Sequence, residues 1–145
     1  MNAHLRQLAS AAYRGASETV SPAQQIVMLY DGAIRCLREA EAAIAAGAIE
    51  RRHNNVAKAF AIVNALHCCL DFEKGGEVAR SLDRFYAYVL HRMSRIDITG
   101  DASICAELIG MLSQMRASWA AIASGSARSP SPPPAAPTRS ITVST

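Results

Sequence analysis

The sequence contains no run of eighteen apolar residues, although half of its 145 residues are apolar. The longest core stretch without a formal charge, Ala59 to Leu70, is still interrupted by Asn64 and His67. A membrane-spanning helix needs about twenty predominantly apolar residues and is excluded. Charge of one sign is also missing. Lys and Arg number 15 against 12 Asp and Glu, a net +3. Two of the bases, Arg128 and Arg139, stand in an acid-free C-terminal stretch, which leaves +1 for residues 1–124. That balance offers no footprint for nucleic acid. The N-terminus has no apolar h-region, so no secretory leader is read and a cytoplasmic chain is expected. Residues 1–17 contain no acid and two arginines, which is thin for a presequence; a short helix over about 3–12 is the better reading. The four cysteines, Cys36, Cys68, Cys69 and Cys105, are too few for a disulfide scaffold, and reduced thiols are expected.

Chemical machinery is scarce as well. There is no Gly-rich phosphate loop and no G-x-S-x-G elbow. His67, Cys68 and Cys69 are consecutive, and helical neighbours are turned by about 100°, so the three do not share one ion. Bundle di-metal sites need two Glu-x-x-His pairs and two further glutamates. Only Glu50-x-x-His53 has that spacing, at a charged helix entrance beside Arg51 and Arg52. His91 next to Arg92 reads as a surface residue, and Asp31 as a structural hydrogen-bonding group. No enzyme, metal or cofactor is expected.

What the chain does have is alanine, 28 in all, with few β-branched runs and widely spaced glycines. These favour an all-α fold. Five of the six prolines fall between Pro130 and Pro137, and residues 125–145 contain no aromatic side chain. Such a segment buries too little to offset its ordering entropy and is expected to be a disordered Pro/Ser-rich tail. Before it, the breaks are legible. Ser21-Pro22 is a cap followed by proline at the first helical position, with Gln24 completing a capping box. Gly47 suits a helix C′ position, Gly75-Gly76 an end, and Thr99-Gly100-Asp101 an end and a new cap. The resulting domains are an N-terminal flap over 1–20, a bundle over 21–124, and the tail. Four long helices follow, at about 22–46, 49–73, 77–97 and 101–123. Their short connections give an antiparallel up-down four-helix bundle.

Each helix shows an apolar stripe at three- and four-residue spacing, for example Ile26, Leu29, Ala33, Leu37, Ala40 and Ile44 in the first. The stripes are wider than a bundle core requires. Val27, Tyr30 and Ile34 widen the first, Phe60, Ile62 and Cys69 the second, and Tyr86, Tyr88 and Leu90 the third. Surplus apolar area either meets a partner or is covered by the N-terminal segment or a second copy of the chain.

The order of several motifs is informative. Ala12-Tyr13, Ser21-Pro22 and Ile26-Val27-Met28-Leu29-Tyr30-Asp31-Gly32-Ala33 are followed by Lys58-Ala59, Ile62-Val63 and Leu66. Then come Leu70-Asp71-Phe72-Glu73-Lys74-Gly75-Gly76-Glu77-Val78-Ala79, Phe85-Tyr86-x-Tyr88 with Arg92, and Arg116-x-x-Trp119. Over about residues 12–122 this series resembles the bacterial flagellin export chaperones, the FliS family. The segment from Leu70 is similar to that family's LDxEKGGEIA. Departures are Thr19-Val20-Ser21-Pro22 for a Thr-Ala-Ser-Pro run, Ala87 for an aspartate, and Asp97 for an asparagine. Cys68-Cys69 and the proline-rich tail lie outside the pattern.

The resemblance implies a cytosolic chaperone, working without nucleotide, that binds the disordered C-terminal segment of flagellin and blocks premature polymerisation. Apolar stripes on that segment would dock as helices in grooves. Tyr13 matches the family's N-terminal tyrosine and would belong to a flap over a groove. Val27, Tyr30, Ile34 and Ile62 are the candidates for flagellin contact. Trp119 and Leu70 are expected in the core. Flagellar export-gate components and a second copy of the chain are further partners, while nucleic acid and membrane insertion are not expected. The alternative is a structural helical dimer, or an adaptor for an unrelated amphipathic helix.

Overall fold

Ser21 begins the first helix by accepting a hydrogen bond from the Gln24 N–H at 3.1 Å, with Pro22 at the first helical position. This start opens the computed structural model, which describes Ala12 and residues 20–125. The rest of the expected short helix over 3–12, Tyr13, and the tail beyond 125 lie outside the described residues. Four helices fill the described region: α1 (Pro22–Ala45), α2 (Ile49–Cys68), α3 (Phe72–Thr99) and α4 (Ala102–Ala123). Asp71 caps α3 through bonds from the Glu73 and Lys74 N–H groups, both 3.1 Å, and Asp101 caps α4 through Ser103 at 2.8 Å. Each such cap contributes about 1 kcal/mol. The capping box at α1 is half formed. Gln25 rather than Gln24 reaches back, its Nε2 donating to the Val20 carbonyl at 3.4 Å.

At the end of α1 the chain turns through Gly47, with Ala48 N–H to Ala43 O at 2.9 Å and Gly47 N–H to Ile44 O at 3.1 Å. That pairing is a Schellman motif. It satisfies carbonyls that would otherwise be orphaned and feeds the chain directly into α2, which has no side-chain cap. The second boundary differs from the expected one. α2 stops at Cys68 rather than near residue 73, and α3 (Phe72–Thr99) adds a helical turn at Phe72 ahead of the helix expected from 77. The cause is Asp71: its carboxylate captures two N–H groups and nucleates a new turn. The break expected at Gly75-Gly76 is also present: Gly76, at φ 52° and ψ −128°, is non-helical and separates a first turn at Phe72 from the long part of α3. Only glycine adopts that conformation without strain.

The helices alternate in direction and close into a ring. α1 packs most extensively against α2 and α4, and the α3–α4 seam is the thinnest. The core holds Leu37, Val63, Val89, Met93, Ile96, Leu108 and Leu112, all fully buried. Each contributes about 1.5–3 kcal/mol by leaving water. Trp119 and Leu70 are buried as expected. One stripe is rotated. Leu29, read as core, is 40% exposed, while Val27, Tyr30 and Ile34 are buried. Because α1 contacts two neighbours, it turns the flank carrying Val27 and Ile34 inward as well, and Leu29 slides to the rim.

Candidate partner-binding surface

The five residues proposed from sequence for partner contact are placed unequally. Val27, Tyr30 and Ile34 are buried. The Tyr30 hydroxyl sits 2.8 Å from that of Tyr86, and the two rings lie 6.4 Å apart between α1 and α3. Ile62 is half-buried and packs over α1: a Cβ added at Gly32 would lie 3.3 Å from its Cδ1. Tyr13 lies outside the described residues.

Exposed apolar surface collects instead on the C-terminal half of α2 and the adjoining rim of α1. Phe60, Ala61, Asn64, Ala65, Cys68 and Cys69 all face solvent, and no Asp, Glu, Lys or Arg occurs between Ala59 and Leu70. Helical spacing aligns Ala61, Ala65 and Cys68 in one row and Ile62, Ala65 and Cys69 in the next. Beside them on α1 stand Met28, 59% exposed, and Leu29. Phe72, at the start of α3, extends the same end. Small exposed residues along α2 beside larger ones give an uncharged face, called the trough below, against which an apolar helix face could dock. Ile49 and Ile98 are exposed at the other end of the bundle, where single apolar side chains are ordinary. The composition of α2 was the signal for this face. Its partner rim on α1 was hidden because Leu29 fits the core periodicity.

Charged side chains lie elsewhere and form the seams. Arg116 of α4 pairs with Asp31 of α1, which gives Asp31 the structural role expected of it. Between α3 and α4, Glu107 accepts from the Tyr88 hydroxyl and from Arg92, the latter at 2.8 Å. Burial pushes the Glu107 carboxyl up, but these two bonds prevail and hold it below the usual carboxylate range. Asp101 is likewise lowered by its bond from Ser103. Asp97 bridges to Arg52 at 3.2 Å and His53 at 2.9 Å, and His67 meets Asp83 at 2.6 Å. His53 is thus engaged by α3 and has no shared site with Glu50. Among the described residues no cluster of three or more His, Cys, Asp or Glu could hold a metal ion. None of their helices is long and apolar enough to cross a membrane.

Ala12 has a defined seat at the turn between α2 and α3. Ala12 is fully buried, and its carbonyl accepts the Asp71 N–H at 2.8 Å. The seat exists because Gly75 has no side chain: a Cβ there would lie 3.0 Å from the Ala12 Cα and 2.8 Å from the Ala79 Cβ. The turn that separates α2 from α3 therefore also anchors the chain before α1.

An antiparallel four-helix bundle with ion pairs along its seams and an uncharged, exposed stretch on α2 defines an all-α helical-bundle protein. Comparison with known proteins makes the class specific. The family described as flagellar protein FliS matches residues 5–126, and the chain belongs to it. The flagellar secretion chaperone FliS of Salmonella typhimurium is 33% identical over 116 residues, covering 79% of this chain and 86% of that protein. Its namesake in Bacillus subtilis is 30% identical over 101 residues, 70% of this chain and 74% of the relative. FliSB of Pseudomonas aeruginosa, also a flagellar secretion chaperone, is 30% identical over 99 residues, 68% and 79% of the two chains. An export chaperone role in flagellum assembly is the function of this family.

Proposed function

We propose that the chain captures the disordered C-terminal segment of flagellin in the cytosol, before type III export, and lays its apolar stripes along the trough on α2. Flagellin held in this way would not polymerise prematurely, and the role requires no reaction centre. The observation that carries the reading is the uncharged, exposed C-terminal half of α2, bordered by Met28 and Leu29. Ile62 contributes its outer flank. Val27, Tyr30 and Ile34 act from below, fixing the position of α1 rather than touching the partner in the free protein. Tyr13 keeps its proposed contact role on the family resemblance, and delivery to export-gate components would follow capture.

The segment orders as it binds, so the apolar gain must exceed its folding entropy. Calorimetric titration with the C-terminal segment of the cognate flagellin is expected to give one-to-one binding with a large negative heat-capacity change. Leu29→Asp and Ala65→Asp, both at exposed positions, are each expected to weaken binding at least about tenfold with helical content unchanged. Unchanged affinity in both variants would sink this placement. A stable dimer that loses the face on self-association, read by light scattering, would favour the structural-dimer alternative.

A further inference from the structure

The four thiols divide into two pairs. Cys105 is fully buried, and burial pushes its thiol up to about 11. Cys36 is half-buried and packed against the core. Both serve as small apolar side chains. Cys68 and Cys69 are exposed, adjacent, and set in the trough described above. The Cys68 Sγ reaches only a surface side chain, donating to Asn64 Oδ1 at 3.8 Å. Immediately after the pair, Leu70 is buried and Asp71 is tied to Ala12 and to the start of α3. The backbone after the pair is thus pinned, and helical spacing sets the two exposed thiols about one turn beyond Ala65 on the same uncharged stretch. Free cysteine is among the residue types most often buried, so two consecutive exposed thiols on an uncharged face are a marked placement.

We propose that Cys68 and Cys69 form a reversible thiol-modification site whose adduct closes the docking face. The inference rests on the reading of that face as the flagellin-binding surface. The modifying reagent is a low-molecular-weight disulfide. A thiolate from either cysteine attacks one of its sulfurs; a protein–small-molecule S–S bond forms and the reagent's own S–S bond breaks. One small thiolate leaves with the electron pair, and the proton given up by the cysteine passes to solvent. Excess small thiol runs the same exchange backwards. A carboxylate-bearing adduct would place charge where docking must exclude water, and an apolar partner offers it no counter-charge. Bulk in the Ala61–Ala65 row would add a steric block.

The test uses the full chain and oxidised glutathione. Peptide mass mapping is expected to find the adduct on Cys68 or Cys69, with Cys36 and Cys105 unmodified. Titration of the adducted protein with the flagellin C-terminal segment is expected to show affinity reduced at least about tenfold, and thiol reductant to restore it. The double variant Cys68→Ser, Cys69→Ser should show the same affinity before and after the treatment, whatever its starting affinity. Adducted protein that binds within about twofold of the untreated protein overturns the gate, as does modification that reaches Cys36 equally fast. Untreated protein that fails to bind the segment overturns the functional reading and the gate with it. That result is distinct from failure of the gate alone, where the untreated and adducted forms bind equally.

Discussion

Tyr30 shows how far a residue's type and spacing can define its role. Its phenol is amphipathic, so periodicity places it equally well at a groove rim or in a core. What decides is Tyr86 on α3, whose hydroxyl lies 2.8 Å away and which no local pattern could bring opposite. Tyr30→Asp is therefore expected to destabilise the bundle by about 3–5 kcal/mol through an uncompensated buried charge. Tyr30→Phe, which removes one hydrogen bond, should cost about 1 kcal/mol. Thermal melts followed by circular dichroism measure both. Glu107 makes a second residue-level prediction. Its folded-state pKa is depressed, so its contribution is complete above the unfolded value of about 4.3 and is lost as pH falls through the lower folded value. The urea midpoint should drop on acidification from about pH 5 to pH 3, and Glu107→Gln should flatten that slope. Asp101 acts in the same direction, so some slope is expected to remain in the variant.

At the scale of the element, local chemistry was legible wherever one residue does one job. Ser21 and Asp101 cap as their types suggest, and Gly47 terminates α1. The α2–α3 boundary was half legible: the glycines mark a real break at Gly76, but Leu70-Asp71-Phe72 continues a helical pattern and hides the end of α2 at Cys68. Asp71 overrides that pattern by starting a turn, Gly76 supplies the break, and Gly75 is needed for space. Gly75→Ala is thus expected to dislodge the segment at Ala12. Amide exchange at Asp71, whose N–H bonds to the Ala12 carbonyl, should accelerate by an order of magnitude or more. The four helices themselves should persist. Unchanged protection at Asp71 would show that the seat tolerates a methyl group.

For the whole molecule, short connections and stripe periodicity were enough to define four helices of alternating direction. They did not say which flank of each helix meets which neighbour. α1 contacts both α2 and α4, and that choice buries Val27 and Ile34 while leaving Met28 and Leu29 outside. The surplus of apolar residues was therefore legible in amount but only partly in place: Phe60, Ile62 and Cys69 were read on the second helix, and its neighbours were not. Charge segregation is the global feature that resolves this, since ion pairs stitch the seams while the C-terminal half of α2 has no Asp, Glu, Lys or Arg and joins them only through His67.

That uncharged half of α2 also bears on supply. A chain that shows such a surface is least soluble when alone, because nothing on the face repels a neighbouring molecule. Light scattering of the free protein should rise steeply with concentration, and equimolar flagellin segment should suppress the rise. On the function proposed above, a cell that overproduces this chain relative to its partner is expected to accumulate aggregates, and balanced synthesis of the two becomes a condition for keeping this chain usable.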